Sequence, residues 1–148
     1  MKFNIPASLQ AEHKELHAVL TKAIQEPGKL GEAAKNVAEI LDPHFEKEEE
    51  FALPPLGALV ELSAGNFSPV MKEILSMTGW LKAELPQMLE EHKKIVAALQ
   101  DLTAEAGKVG KEEYIIFAEN LTLHAKTEEE VLYPASMLIG EYIKSRIT

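Results

Sequence analysis

Apolar residues recur at three- and four-residue intervals through most of this chain, and proline or glycine separates one such stretch from the next. Leu9, His13, Leu16, Leu20 and Ile24 form the first stripe, the spacing of one helix face. Pro27-Gly28 ends it. A second stripe carries Leu30, Val37, Leu41, His44, Glu48 and Phe51, and stops at Pro54-Pro55 with Gly57 beyond. Residues 56–68 read equally as a short helix or a packed loop. Ser68-Pro69 reads as an N-cap with proline at the first helical position. A third pattern runs from there towards Ala106, with Pro86 as a kink and Leu85, Leu89, His92, Val96 and Leu99 on its apolar face. Gly107 and Gly110 mark a turn. The fourth stripe holds Tyr114, Phe117, Leu121, His124, Glu128 and Val131 and is expected to end near Pro134. Ala135 to Ile147 is read as a short C-terminal helix. Alternating strand patterns and hairpin turns are missing. The expectation is an all-α, up-down-up-down four-helix bundle forming one domain over residues 1–148. Pro43 lies inside the second helix and leaves the carbonyl of Glu39 without its usual partner.

Polar residues interrupt these stripes at matching places. His44, Glu48, Glu49, Glu50 and Pro54 recur 80 positions later as His124, Glu128, Glu129, Glu130 and Pro134. Glu12-His13-Lys14 recurs 79 positions later as Glu91-His92-Lys93. Two helical halves repeat an apolar pattern for trivial reasons; histidine has no strong helix preference and gains nothing from an apolar stripe. On an α-helix, residues four apart lie about 40° from one another and about 6 Å along the axis. Glu48 therefore shares the face of His44, and Glu128 that of His124. Glu49, Glu50, Glu129 and Glu130 rotate away and are read as a solvated face. Trp80, Tyr114 and Tyr133 are read as packing residues.

An ionised glutamate in a core is costly unless something positive compensates it, and these stripes carry no lysine or arginine. A metal pair removes the cost, with imidazoles as terminal ligands and carboxylates as bridges. Composition narrows the metal. The 148 residues include no cysteine, so zinc fingers and thiolate clusters are excluded and any ion must take histidine and carboxylate. The formal net charge is −9 and Arg146 is the only arginine, which argues against nucleic acid and against an anionic membrane surface as partners. A 46% hydrophobic content fits a globular chain. The start, MKFNIPASLQ, is not read as a signal peptide, and a cytoplasmic location is the default expectation. H13-K-E-L-H17 has zincin spacing, but lysine stands where the general base belongs. The Glu-x-x-His of ferritin-like proteins is missing, since Gln10, Lys14, Leu41, Leu89 and Leu121 stand three before the histidines.

The ordered set His13, H44-x-x-x-E48, His92, H124-x-x-x-E128 resembles hemerythrin and the wider hemerythrin-like (HHE) cation-binding domains over about residues 8–134. The resemblance implies a four-helix bundle around two non-haem iron ions, oxo- or hydroxo-bridged. It makes His13, His44, His92 and His124 terminal ligands and Glu48 and Glu128 bridges. Hemerythrins carry a fifth histidine in an H-x-x-x-H on the third helix. Here that spacing falls on the first helix, so His17 joins the candidate metal ligands; its counterpart in the second half is Val96, on the apolar stripe. With His17, the donor count leaves one coordination position open; without it, two. The last motif of hemerythrins is usually histidine-x4-aspartate, and H124-x-x-x-E128 departs from it, which favours the broader hemerythrin-like group over true oxygen carriers. The expected function is di-iron binding with oxygen or a related small molecule such as nitric oxide as ligand. A di-iron enzyme acting on nitric oxide or peroxide, or serving iron–sulfur repair, is the alternative. A zinc-bound or metal-free helical interaction module is a further one. A redox or signalling partner is not named by the sequence.

Overall fold

The computed structural model describes residues 3–147; Met1, Lys2 and Thr148, which belong to the expected domain and, at the start, to the stretch read as lacking a signal peptide, lie outside the described residues. The protein is a four-helix bundle, and the described residues include no strand. Helix α1 spans Ala7–Ile24 and α2 spans Gly28–Lys47. A turn at Glu26–Gly28 reverses the chain, with Gly28 at φ +71°, a backbone state that glycine adopts without steric cost. The bundle continues with α4, Ile74–Lys108, and α5, Glu112–Thr127. Helix α2 packs along α4, α4 along α5 and α1 along α2, while α1 and α5 meet more sparsely. No helix among the described residues is long and apolar enough to cross a membrane.

Between α2 and α4 the chain forms a 3-10 turn at Pro54–Ala58, a short helix α3 at Leu59–Ser63 and a second 3-10 turn at Pro69–Glu73. Both readings of residues 56–68 thus hold in part. Pro69 does open a helical turn, but Ser68 makes no side-chain cap bond, so the expected N-cap is absent and the α-helix begins only at Ile74. Pro43 and Pro86 lie inside α2 and α4 without ending them. Both are exposed, and so is Glu39, whose freed carbonyl therefore meets water.

Two single-turn π-helices interrupt the α-helical pattern, at Glu48–Ala52 and at Glu128–Leu132. In each, the backbone N–H five residues on, from Leu53 or Tyr133, donates to the carbonyl of the glutamate that opens the turn. A proline follows at once, Pro54 or Pro134. Proline has no N–H to donate and its ring crowds the carbonyl four residues back, and a wider turn ahead of it eases that conflict. The outcomes then diverge. Pro55 removes a second donor and the first half breaks into a 3-10 turn. Ala135 keeps its donor, and the second half runs on as α6, Tyr133–Ile147. The fourth helix therefore does not end near Pro134 as expected.

Apolar side chains fill the bundle on both sides of the histidine level. Leu16, Leu20, Val37, Leu41, Ile95 and Leu99 belong to one layer. Met71, Ile74, Ile139 and Ile143 belong to another, beside a third group of Phe51, Leu81, Met88 and Tyr133. Along each helix the histidine falls between these layers. Val131, expected on the buried stripe, is 55% exposed. Its counterpart Phe51 is buried because Trp80 of α4 stacks on it, with ring centroids 4.5 Å apart; Val131 has no such cover.

Candidate metal centre

Four helices each deliver one histidine to the same level: His13 from α1, His44 from α2, His92 from α4 and His124 from α5. Glu48 and Glu128 enter from the first residue of each π-turn. All six are buried, Glu48 and Glu128 to 1% exposure or less. They form two overlapping groups, His13/Glu48/His124/Glu128 and His44/Glu48/His92/Glu128, in each of which the donor atoms lie within 4.8 Å of one another. Both glutamates are common to the two groups, the arrangement two adjacent ions with bridging carboxylates require. Glu128 shows this directly: its Oε2 lies 3.1 Å from His124 Nε2 and its Oε1 lies 3.1 Å from His92 Nε2.

The protonation pattern argues for cations at both places. His44 Nδ1–H donates to Glu91 Oε1 at 2.8 Å and His92 Nδ1–H to Glu129 Oε1 at 2.9 Å. His124 Nδ1–H donates to Glu12. A carboxylate only accepts, so the neutral rings present bare lone pairs at Nε2. Yet His44 Nε2 and His92 Nε2 approach to 2.9 Å, and His13 Nε2 and His124 Nε2 to 3.2 Å. Lone pairs facing at that distance repel unless a proton or a metal ion lies between them. Glu48 Oε1 and Glu128 Oε2 are buried without any hydrogen-bond partner, again what a missing cation leaves behind. The donor set therefore fits a pair of metal ions, and carboxylates behind the imidazoles are the usual means of fixing a ligand's tautomer and orientation.

Without metal the charges are compensated by protons. Burial, and then the neighbouring Glu128, holds the Glu48 carboxyl well above its ordinary range. Burial works in the same sense on Glu128, but contacts from Glu48, His124, His13 and His92 together hold it well below. One of the two is thus protonated and the other ionised. Burial pushes His44 down more than Glu91 pulls it up. For His92 and His124 burial also pulls down, but the adjacent carboxylates outweigh it and both rise. Tyr133, buried beside the glutamates, is pushed far up and stays a neutral phenol.

Tyr133 is the principal residue the sequence reading missed. Its hydroxyl donates to Glu48 Oε2 at 2.7 Å and lies 3.3 Å from both His44 Nε2 and His92 Nε2. Its counterpart in the first half is Leu53, so the duplication carried no signal for it. Glu12 and Glu91 had a signal: they belong to the repeated Glu-His-Lys triplet. Glu129, read as solvated, is instead the partner of His92 and only 30% exposed. Glu49 keeps the solvated reading better. It is 54% exposed and 3.7 Å from His13 Nδ1, beyond hydrogen-bond reach, and that Nδ1 has no partner.

His17 is not brought to the centre. It lies on the outer face of α1, 60% exposed, with Nδ1 3.8 Å from Asp42 Oδ1. One helical turn from His13 it is rotated to the stripe's edge, and that edge faces solvent here. Val96 fills the equivalent place on α4, partly buried. The structure thus unites six of the seven candidate ligands.

No family model matches the chain, and neither does any curated protein or solved structure. The class defined by fold and site is an all-helical bundle with a buried histidine–glutamate cluster able to hold metal.

Proposed function

We propose that this chain is a di-iron-binding protein of the hemerythrin-like type that binds or senses oxygen or a related small molecule. The observation that carries the reading is the sharing of Glu48 and Glu128 between two histidine pairs, in the order and on the helices that the resemblance implies. His13 and His124 would hold one ion, His44 and His92 the other, and both glutamates would bridge. Iron at such a site supplies reversible one-electron chemistry and open positions for a small ligand. The protein's own part is to exclude bulk water with apolar layers on both sides, to fix each imidazole through an outer carboxylate, and to keep Glu48 hydrogen-bonded to the Tyr133 hydroxyl. With His17 outside the centre, more than one position is left to ligands other than protein.

Tyr133 also favours a second reading, a di-iron enzyme acting on nitric oxide or peroxide. A phenol in hydrogen-bond contact with Glu48 is a proton donor inside the cavity, which a simple carrier does not need.

Metal analysis of protein produced with iron tests the first reading: about two ions per chain are expected from the paired donor sets. A content near zero, or a content unchanged in Glu48→Gln, sinks it. Optical spectra of the reduced, iron-loaded protein before and after exposure to oxygen separate the two functions. Reversible change supports binding or sensing; rapid irreversible oxidation, slowed in Tyr133→Phe, supports the enzyme.

A further inference from the structure

The two metal positions do not have the same surroundings. At the His13/His124 position a phenyl ring seals the ligands. Phe45 stacks on His13 with centroids 4.1 Å apart and planes within 7°, and stands edge-on to His124 at 6.4 Å. The residue that corresponds to Phe45 in the second half is Ala125. A methyl group there leaves a groove of about 870 Å³ between α4 and α5, walled by Val96, Leu99 and Leu123 and reaching His92 and Glu129. The symmetry-related face between α1 and α2 holds only a smaller hollow, lined by Ala38, Asp42 and Pro43, which does not reach a histidine. A groove between α1 and α5 does touch His124, but there the Phe45 ring stands against the imidazole.

We infer that the metal position at His44/His92 is the exchangeable one, filled and emptied through the α4/α5 groove, while the position at His13/His124 is sealed. This rests on the dinuclear reading above. His92 is the ligand with space beside it. Its Nδ1 is held by Glu129, a partly exposed carboxylate that lines the same groove, so an arriving cation meets an acidic oxygen before it meets the imidazole. His44 has no such freedom, since its partner Glu91 is itself tied to Lys47 Nζ at 2.8 Å. His13 cannot turn without losing the Phe45 stack. Exchange at one position and retention at the other would let the protein keep one ion while the second is replaced, or while a small molecule takes a place beside it.

The test uses cobalt(II) as the probe ion and chelator-driven release followed by absorbance. Wild-type protein is expected to release its two ions in two phases. Ala125→Phe, which places a ring over His92 as Phe45 covers His13, is expected to slow the fast phase by about ten-fold or more and leave the slow phase alone. Phe45→Ala is expected to do the reverse, accelerating the slow phase until the two merge. Ala125→Leu serves as a smaller filler should the phenylalanine disturb folding. Tyr133→Phe assigns the phases, because its hydroxyl touches only the ligands of the His44/His92 position and the two shared glutamates; it should alter the fast phase more than the slow one. Release in a single phase, or a fast phase indifferent to both fillers at position 125, overturns the inference while leaving two bound ions and the dinuclear reading intact. Protein that binds no cobalt at all overturns both.

Discussion

The two halves of this bundle repeat their inner ligands and differ in what stands behind them. Around His44, the partner Glu91 is only 15% exposed and is clamped by Lys47. Around His124, the partner Glu12 is 48% exposed, and Thr127 occupies the place of Lys47. Phe45 becomes Ala125, and Leu53 becomes Tyr133. The residues that must touch a cation are held fixed by its geometry. The residues around them are free to make one position rigid and the other accessible, and that freedom is where a symmetric scaffold acquires direction.

The largest effect expected is on the shared carboxylates. Glu48→Gln or Glu128→Gln should remove a bridge from both positions at once and lower metal content of both, measured as ions per chain; loss of one ion only would break the dinuclear arrangement. The outer carboxylates come next. Glu91→Gln should weaken metal affinity by about 10–100-fold, the range for such partners. Glu12→Gln should weaken it less, because Glu12 is more exposed and unclamped. Equal effects in a competition titration would deny the asymmetry.

A pH effect on the metal-free protein is smaller but has a definite sign. Glu48, His92 and His124 all have raised values. The stability each contributes is complete below its unfolded value and is lost as pH rises through its folded value. Glu128 and His44 have lowered values; their contributions vary at or below their ordinary 4.5 and 6.5. Above pH 6.5 only the raised groups remain to titrate, so the melting temperature in chelator should fall as pH increases from there. Metal loading should reduce the fall, since the cations replace the protons. A midpoint that rises with pH, read by circular dichroism, would contradict the assigned protonation. Lys47→Thr, which makes the first half resemble the second, should cost about 1 kcal/mol or less, as a partly exposed ion pair does. His17→Leu should leave metal content and spectra unchanged.

Much of this was legible in the sequence. Four helices followed from period and breakers, and six ligands followed from the repeat, because helical phase and buried charge leave few alternatives. The failures share a cause. Phase on one helix cannot say what lies opposite it. His17 and Val131 sit at places where burial depends on a neighbouring helix, and no neighbour covers them. Glu129 was placed on the wet side by rotation, yet it leans across to α4 and finds an imidazole. Tyr133 lies beyond a turn whose width the residues do not announce, and its first-half counterpart is an ordinary leucine. Pro134 reads as a stop, but the helix continues because the wider turn ahead of it absorbs the lost donor.

That wider turn also bears on history. A π-turn holds one residue more than the α-helical turn it replaces, so it is the trace of a single-residue insertion. Both copies carry the extra residue at the same place, each beginning at the bridging glutamate and each followed by proline. One insertion inherited twice is simpler than two made independently. The helix pair therefore had its glutamate, its widened turn and its proline before it was doubled, and the ancestor was a two-helix unit that could complete a site of this kind only by pairing with a copy of itself.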